Sequence, residues 1–124
     1  MQRVHSPQAP APVGAYSQAV RHGGMLLVSG QLGMDTAGRL ADGPAAQAGK
    51  ALDNLEAILN AAGLGMGDVL KVTVYLADMG DFEEVNRIYS QRFTEPYPAR
   101  AAVEVSALPK GALVEIEATA AERG

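Results

Sequence analysis

Three charged side chains near the C-terminal end of this 124-residue sequence have the types and spacing that could do chemistry. Arg100 directly precedes residues 101–105, where valines alternate with Ala102 and Glu104 in the period-two pattern of a half-buried strand. A guanidinium is always charged, and it is costly to bury unless a carboxylate or phosphate accepts its forked N–H donors. Arg100 is therefore a candidate for binding an anion.

The other two candidates, Glu115 and Glu117, lie in the last apolar stretch of the chain. They alternate with Val114, Ile116 and Ala118, so both carboxylates are predicted to lie on the strand face that points away from the core. A neighbouring subunit on that face would partly desolvate them.

Two interpretations of these residues remain open from the pattern alone. Arg100 could pair with a glutamate of an adjacent strand as a structural ion pair. Alternatively, it binds an anionic substrate while a carboxylate handles water or a proton. Tyr16, the only tyrosine of the first predicted hairpin, could complete such a pocket, although a half-buried strand aromatic is the commoner role.

The elements that must position these residues are predicted from periodicity. Residues 1–12 contain three prolines and no periodicity, so they are expected to form a loose or extended lead-in. Residues 13–21 and 25–29 are predicted to pair as a hairpin, and 30–43 to form a loop.

Two helices follow from apolar residues at helical spacing. The first is predicted to be capped by Asp42, to have Pro44 in its first turn and to be closed by Gly63 and Gly65. The second is predicted to open at Asp81, with Glu84 at the spacing of a capping box. Their apolar residues are Ala48, Ala51, Leu52, Leu55, Ile58, Leu59 and Ala62 in the first, and Phe82, Val85, Ile88, Tyr89 and Phe93 in the second.

Strands at 69–78, 101–105 and 112–120 complete the predicted order β-β-α-β-α-β-β. We expect one α+β domain over residues 1–124, with both helices on one face of a single mixed sheet. The inward residues of the central strand are predicted to be Leu70, Val72, Val74 and Leu76. Leu113 indicates that the other sheet face is not wholly polar, which favours a subunit interface there.

Composition excludes several classes of function. A net charge of −4 argues against nucleic acid as the main partner, and the absence of cysteine excludes disulfides and thiolate chemistry. Neither His5 nor His22 has a second ligand at metal-binding spacing, so no metal site is predicted. Without a signal-peptide pattern or a long apolar run, we expect a cytoplasmic protein that does not associate with membranes.

Several motifs in order along the chain resemble the reactive-intermediate deaminase family, of the RidA or YjgF type. They are GAYSQAV at 14–20, LVSGQ at 27–31, AAQAGKALDNLEAILNAAGL at 45–64, GDVLKVTVYLADMGDFEEVN at 67–86, PAR at 98–100, LPKG at 108–111 and EIEA at 115–118. The resemblance extends from about Val13 to Ala118, which is nearly the whole chain.

The resemblance implies a chorismate-mutase-like α+β fold, in which the sheets of three subunits form a central barrel with active sites in the clefts between subunits. Family deaminases hydrolyse 2-imino acids, formed from 2-enamine acids such as 2-aminoacrylate, to 2-oxo acids and ammonia. They need no metal or organic cofactor. A homotrimer that acts on small anionic imino acids such as 2-iminopropanoate and 2-iminobutanoate is therefore expected.

The resemblance also implies roles for individual residues. The arginine that clamps the substrate carboxylate matches Arg100, and the glutamate that positions water matches Glu115. The residues that match the rest of the substrate pocket are Tyr16, Ser29, Gly30 and Asn86. A backbone carbonyl near Gly30 would help to orient the water.

Two other functions are weighed against the deaminase. A trimeric small-carboxylate-binding protein with a regulatory or protective role would use Arg100 but would not need a water-positioning Glu115. Ribonuclease activity ranks last, because the chain is acidic and neither histidine falls in the inferred site.

Overall fold

The computed structural model describes residues 1–123 as one six-stranded sheet with two α-helices. The strands are β1 (Gln2–Val4), β2 (Ala19–His22), β3 (Met25–Leu32), β4 (Val69–Leu76), β5 (Ala99–Glu104) and β6 (Val114–Ala121). The helices are α1 (Pro44–Ala61) and α2 (Phe82–Arg92), and short 3₁₀ turns lie at Met66–Asp68, Met79–Asp81 and Pro109–Gly111. The predicted α+β class, with a mixed sheet and two helices, is confirmed.

The strand order in the sheet is β1-β2-β3-β6-β4-β5. Every neighbouring pair is antiparallel except β4 and β5, which are parallel because α2 forms the crossover between them. Strand β6 therefore lies at the centre, between β3 and β4, and β5 is an edge strand whose only neighbour is β4.

Alternation along the strands divides the sheet into a buried face and an open face. On β6, Val114 and Ile116 are fully buried, whereas Glu115 and Glu117 lie half-buried on the other side. Both helices cover the buried face and contribute to a single apolar cluster. Its largest fully buried apolar side chains are Leu26, Leu52, Leu55, Ile58, Leu59, Val72, Leu76, Val85, Val114 and Ile116. Within residues 1–123, neither helix combines the length and the apolar character needed to cross a membrane.

The N-terminal segment differs from the expected loose lead-in. Residues 2–4 form β1, which pairs with β2 at the edge of the sheet. The buried Gln18 side chain holds the following loop: its oxygen accepts from the Ser6 N–H at 2.7 Å, and its amide donates to the carbonyls of Ser6, Ala9 and Pro10. The hairpin strand predicted at 13–21 begins only at Ala19, because the residues before Ala19 continue the loop and form no strand.

Both predicted helix caps are wrong in detail. Helix α1 begins after Gly43, whose φ of 89° suits glycine, and the Asp42 side chain is not its cap; Pro44 does occupy the first turn. At α2 no side chain caps the N-terminus, and the Asp81–Glu84 capping box does not form. A 3₁₀ turn precedes the helix instead, and there the Asp78 side chain accepts from the Gly80 N–H at 2.8 Å.

Three predicted strand orientations are also corrected. A bulge in β4 between Val69 and Lys71 buries Val69 and leaves Leu70 51% exposed, although the alternation predicts Leu70 to point inward. On β5 Ala102 packs against the core cluster, whereas Val103, in the predicted half-buried valine pattern, is exposed. Leu113 packs against the core cluster, so the apolar residues of the open face are others, among them Leu27.

Candidate active site

Arg100 lies on the helix-covered side of the edge strand β5. It pairs in register with the fully buried Val72 of β4, so its side chain leaves the sheet toward α2. Its Nη1 donates to Asn86 Oδ1 at 2.6 Å. The guanidinium carbon also lies 4.8 Å from the ring centre of Tyr89 and 5.3 Å from that of Phe82. A single helix therefore supplies all three contacts.

The neighbourhood of Arg100 contains no carboxylate partner. Among residues 1–123 no Asp or Glu oxygen lies within 4.0 Å of its guanidinium, and β5 is not adjacent to β6, which carries Glu115 and Glu117. The cross-strand structural ion pair is therefore wrong within one chain. A cavity of 390 Å³ opens beside the guanidinium, and its lining residues are Asn86, Tyr89, Ser90, Tyr97, Pro98 and Arg100.

Glu115 belongs to a second cavity, on the open face of the sheet. This cavity has a volume of 550 Å³ and is lined by Tyr16, Ser29, Gly30, Glu115 and Glu117, together with Val13, Leu32, Met34, Pro109 and Lys110. The Glu115 carboxylate lies directly over Gly30, and a Cβ placed on Gly30 would overlap it. A side chain at this position would therefore displace the Glu115 carboxylate.

An irregularity in β3 shapes the floor of the Glu115 cavity. The pairing of β3 with β6 shifts register between Val28 and Gln31, which places Ser29 and Gly30 in a bulge. The Ser29 hydroxyl donates to the Ser17 carbonyl at 2.6 Å, and the Ser29 N–H donates to the Gln18 carbonyl at 2.9 Å. These bonds connect the bulge to the residues that follow Tyr16, which is 53% exposed and lies in a loop rather than in the predicted strand.

The electrostatics of the second cavity favour the protonated form of Glu115. Burial, and then the negative charge of Glu117, raise the pKa of Glu115 above its ordinary value. Glu117 in turn accepts a hydrogen bond from the Tyr75 hydroxyl, and this bond is the largest cause of the raised pKa of Tyr75. Sequence analysis did not assign Tyr75 a role, although the alternation of β4 already predicts it on the outer face.

The site residues predicted from the sequence therefore form two groups. Asn86 and Arg100 meet on the helix side, and Tyr16, Ser29, Gly30 and Glu115 meet on the open side. Among the described residues, no cluster of three or more His, Asp and Glu side chains is placed to hold a metal ion.

The two groups cannot meet within one chain. Arg100 pairs with Val72 and Glu115 pairs with Tyr75, so they stand three residues apart along β4, on strands that flank it. Standard strand dimensions put their Cα atoms about 10 Å apart along the sheet and about 10 Å across it. Their side chains point to opposite faces. Each group is half of the inferred site.

Sequence analysis did not predict that two aromatic side chains contact Arg100. Phe82 and Tyr89 were predicted only as part of the apolar stripe of α2. Their spacing from Asn86, four residues before and three after, was the available signal, because such residues share one helix face. Nothing in the sequence indicates which strand residue that face meets.

The chain combines an α+β fold with an arginine cavity and a glutamate cavity on opposite sides of its sheet. Known proteins resemble it in sequence and in fold. The family model described as Endoribonuclease L-PSP matches residues 6–122. Human 2-iminobutanoate/2-iminopropanoate deaminase is 49% identical over 119 residues, covering 94% of this chain and 87% of the human protein. The chain belongs to this family, the RidA/YjgF family.

Solved structures agree with the assignment. RidA from an Antarctic Psychrobacter species is 46% identical with a TM-score of 0.96, and the match covers 98% of this chain and 100% of the other. Escherichia coli TdcF, solved with bound serine, is 38% identical with a TM-score of 0.94, covering 99% and 100% of the two chains. The names within the family are mixed, since the family model refers to an endoribonuclease and several relatives are named deaminases.

Proposed function

We propose that this protein hydrolyses 2-imino acids to 2-oxo acids and ammonia. The observation that carries the proposal is the state of Arg100, which is oriented beside a cavity with no carboxylate partner among residues 1–123. Its remaining N–H donors match the carboxylate that every 2-imino acid carries. The deaminase name of a relative 49% identical to this chain supports the same reaction.

The reaction requires a proton acceptor and a positioned water, and Glu115 suits both tasks. Arg100 binds the substrate carboxylate, and Glu115 with a backbone carbonyl near Gly30 orients a water toward the imine carbon. Glu115 takes a proton from the water as its oxygen bonds to the imine carbon, and returns that proton to the imine nitrogen to give a carbinolamine. Glu115 then takes the hydroxyl proton and passes it to the amino group as the C–N bond breaks, which releases ammonia and leaves the 2-oxo acid. A carboxyl group whose pKa is raised by burial accepts and returns a proton more readily near neutral pH.

The proposed site is completed by a second copy of the chain. The Arg100 half and the Glu115 half face opposite sides of one sheet, so a cyclic assembly in which the arginine cavity of one copy faces the glutamate cavity of the next would join them. We propose a homotrimer, as the resemblance implies, with one such site at each interface. Tyr16, Ser29 and Asn86 would line it.

A subunit-mixing experiment tests the shared site. Arg100→Ala and Glu115→Ala variants are purified separately, unfolded together in equal amounts and refolded. If each site takes Arg100 from one copy and Glu115 from the next, about one quarter of the sites in randomly mixed cyclic trimers are intact. We expect about a quarter of the parent activity, whereas each variant refolded alone stays inactive. No recovery in mixtures shown by mass to be hybrid would contradict a shared site.

The activity itself is tested by supplying the unstable substrate in situ. A serine or threonine dehydratase releases the enamine, which becomes the imine, and an imine trap reports how fast it is converted to the oxo acid. We expect the parent chain to accelerate this conversion and both single variants to lose the acceleration. If only Arg100→Ala loses it, another group positions the water.

One observation favours a second candidate function. Escherichia coli TdcF was solved with bound serine, so a relative of this fold holds a small carboxylate that is not an imine. A carboxylate-binding protein without catalysis would bind 2-oxobutanoate through Arg100 and give no acceleration in the coupled assay. Tight binding that Glu115→Ala leaves unchanged, in a parent chain without activity, would support this alternative.

A further inference from the structure

The three contacts of Arg100 all come from one stripe of α2. Phe82, Asn86 and Tyr89 stand at helical positions i, i+4 and i+7, which lie on one side of the helix. The amide of Asn86 holds one end of the guanidinium, and the rings of Phe82 and Tyr89 lie 5.3 and 4.8 Å from its central carbon. Both distances fall within the range of cation–π contact.

These contacts restrain a side chain that is otherwise flexible. A free arginine has many rotamers, and ordering it when a ligand binds reduces affinity. Here the amide oxygen of Asn86 accepts from one Nη group and two rings lie against the guanidinium, so contacts within the protein restrict the side chain without a ligand. A guanidinium has five N–H donors, and within residues 1–123 only one of those of Arg100 is used in a hydrogen bond, so a pair remains for two carboxylate oxygens.

The ring of Tyr89 matters here, whereas its hydroxyl has no observed role. Tyr89 is only 4% exposed, and its hydroxyl is buried without a hydrogen-bond partner among residues 1–123. Burial raises the pKa of this hydroxyl, while the charge of Arg100 acts in the opposite direction. Phe93 packs against the Tyr89 ring at 4.7 Å between ring centres, which holds the ring in place beneath the guanidinium.

We propose that Phe82 and Tyr89 are positioning residues that, together with Asn86, hold the guanidinium of Arg100 in the orientation that binds a substrate carboxylate. The proposal rests on the proposed function, because it assigns the origin of substrate affinity at that site. It also makes a claim about Arg100 that is independent of activity: the guanidinium is ordered in the unliganded protein, and the two rings order it.

The test therefore measures order and affinity separately. Phe82→Leu and Tyr89→Leu each remove a ring face but retain apolar volume. Tyr89→Phe retains the ring face and removes only the hydroxyl. Val85→Ala is the control for loss of buried volume in the same helix. Side-chain ¹⁵N relaxation of the Arg100 Nε–H, assigned with Arg100→Lys, reports order. Calorimetric binding of 2-oxobutanoate, KM and kcat report affinity and turnover.

We expect both leucine variants to mobilise the Arg100 Nε–H. They should also weaken 2-oxobutanoate binding and raise KM by about threefold to thirtyfold, with a smaller change in kcat. Tyr89→Phe should keep the parent order and affinity, and Val85→Ala should lower the unfolding temperature without changing either. An Nε–H that is equally ordered in the parent and both leucine variants would overturn the proposal. Mobilisation without weaker binding would overturn it as well.

Failure of the proposed function gives a different result. A parent chain without imine hydrolysis, in which the leucine variants still mobilise Arg100 and weaken 2-oxobutanoate binding, would reject the deaminase and support the positioning role. A parent with full activity whose leucine variants keep the parent KM would reject the positioning role alone.

Discussion

At the scale of single residues, the Glu115 half of the proposed site depends on one close contact. The Glu115 carboxylate occupies the space that a side chain at Gly30 would fill. Gly30 does not have a positive φ, so alanine is compatible with the backbone there and the conflict is purely one of space. The position therefore separates an effect on the site from an effect on folding.

Gly30→Ala is expected to displace the Glu115 carboxylate and to lower kcat by about a hundredfold, the cost typical of a 1 Å misplacement of a reacting group. The unfolding temperature and 2-oxobutanoate affinity should change little, because Arg100, which binds the ligand carboxylate in the proposed site, is not altered. Gly65→Ala is the matched control, since a Cβ there meets no atom within 4 Å. A Gly30→Ala variant with the parent kcat would show that Glu115 does not act from its observed position.

The pH dependence of activity is also set by single residues. Glu117 raises the pKa of Glu115, so removing its charge lowers that pKa. If deprotonated Glu115 is the base, Glu117→Gln should move the acid limb of the kcat/KM profile to lower pH. Glu83→Gln, on an exposed turn of α2, controls for the change in net charge. An acid limb unchanged by Glu117→Gln would mean that another group titrates.

At the scale of the elements, much of the fold could be predicted from periodicity, and the exceptions share a physical cause. The alternation of β6 correctly places Glu115 and Glu117 opposite the core, because side-chain direction in a regular strand is a local property. The bulges next to Leu70 and Gly30 depend on pairing with distant strands, so no local pattern reveals them. The order of the N-terminal segment likewise depends on Gln18, twelve residues after Ser6.

The same limit applies to the candidate site. Residue types and strand pattern made Arg100, Glu115 and Tyr16 candidates and gave the direction of Glu115. The family resemblance added Ser29, Gly30 and Asn86 and suggested a role for each residue. The separation of Arg100 from Glu115 was not predictable, because it follows from the order of β6, β4 and β5 in the sheet. The aromatic contacts of Arg100 were missed for the same reason.

Gln18→Ala is expected to destabilise the fold by about 2–4 kcal/mol, because it leaves several buried backbone groups near Ser6 and Ala9 without partners. Denaturant unfolding would measure the loss, and faster proteolysis near residues 5–12 would locate it. Gln8→Ala removes an exposed amide from the same segment and should have almost no effect. Equal stability of the two variants would mean that the Gln18 bonds contribute little.

At the scale of the whole molecule, the open face of the sheet is the surface through which copies would associate. Leu27 is 50% exposed there and shares a shallow cavity with Thr73 and Glu117 of the neighbouring strands. Val103 of β5, 40% exposed, lies on the same face, and apolar side chains from two strands of an uncovered sheet face favour an interface there. The position of Leu27 allows assembly to be disrupted without altering either half of the site.

Leu27→Lys is expected to shift the sedimenting species from trimer to monomer, since the interface would bury an unpaired ammonium. Activity should fall in parallel, while circular dichroism shows a folded chain. Asn60→Lys adds the same charge on the exposed surface of α1 and should leave assembly and activity at parent levels. Full activity in a monomeric Leu27→Lys variant would contradict a site shared between subunits.

If the site is shared between copies as proposed, the placement of Arg100 and Glu115 on opposite faces of one sheet has a consequence for a cell that makes this protein. A newly synthesised chain would be folded yet inert, and its specific activity would rise with the amount of protein already present. Dilution alone would switch it off, without an inhibitor or a modification. Activity would then rise more steeply than in proportion to gene dosage, until nearly every chain was assembled with its partner copies.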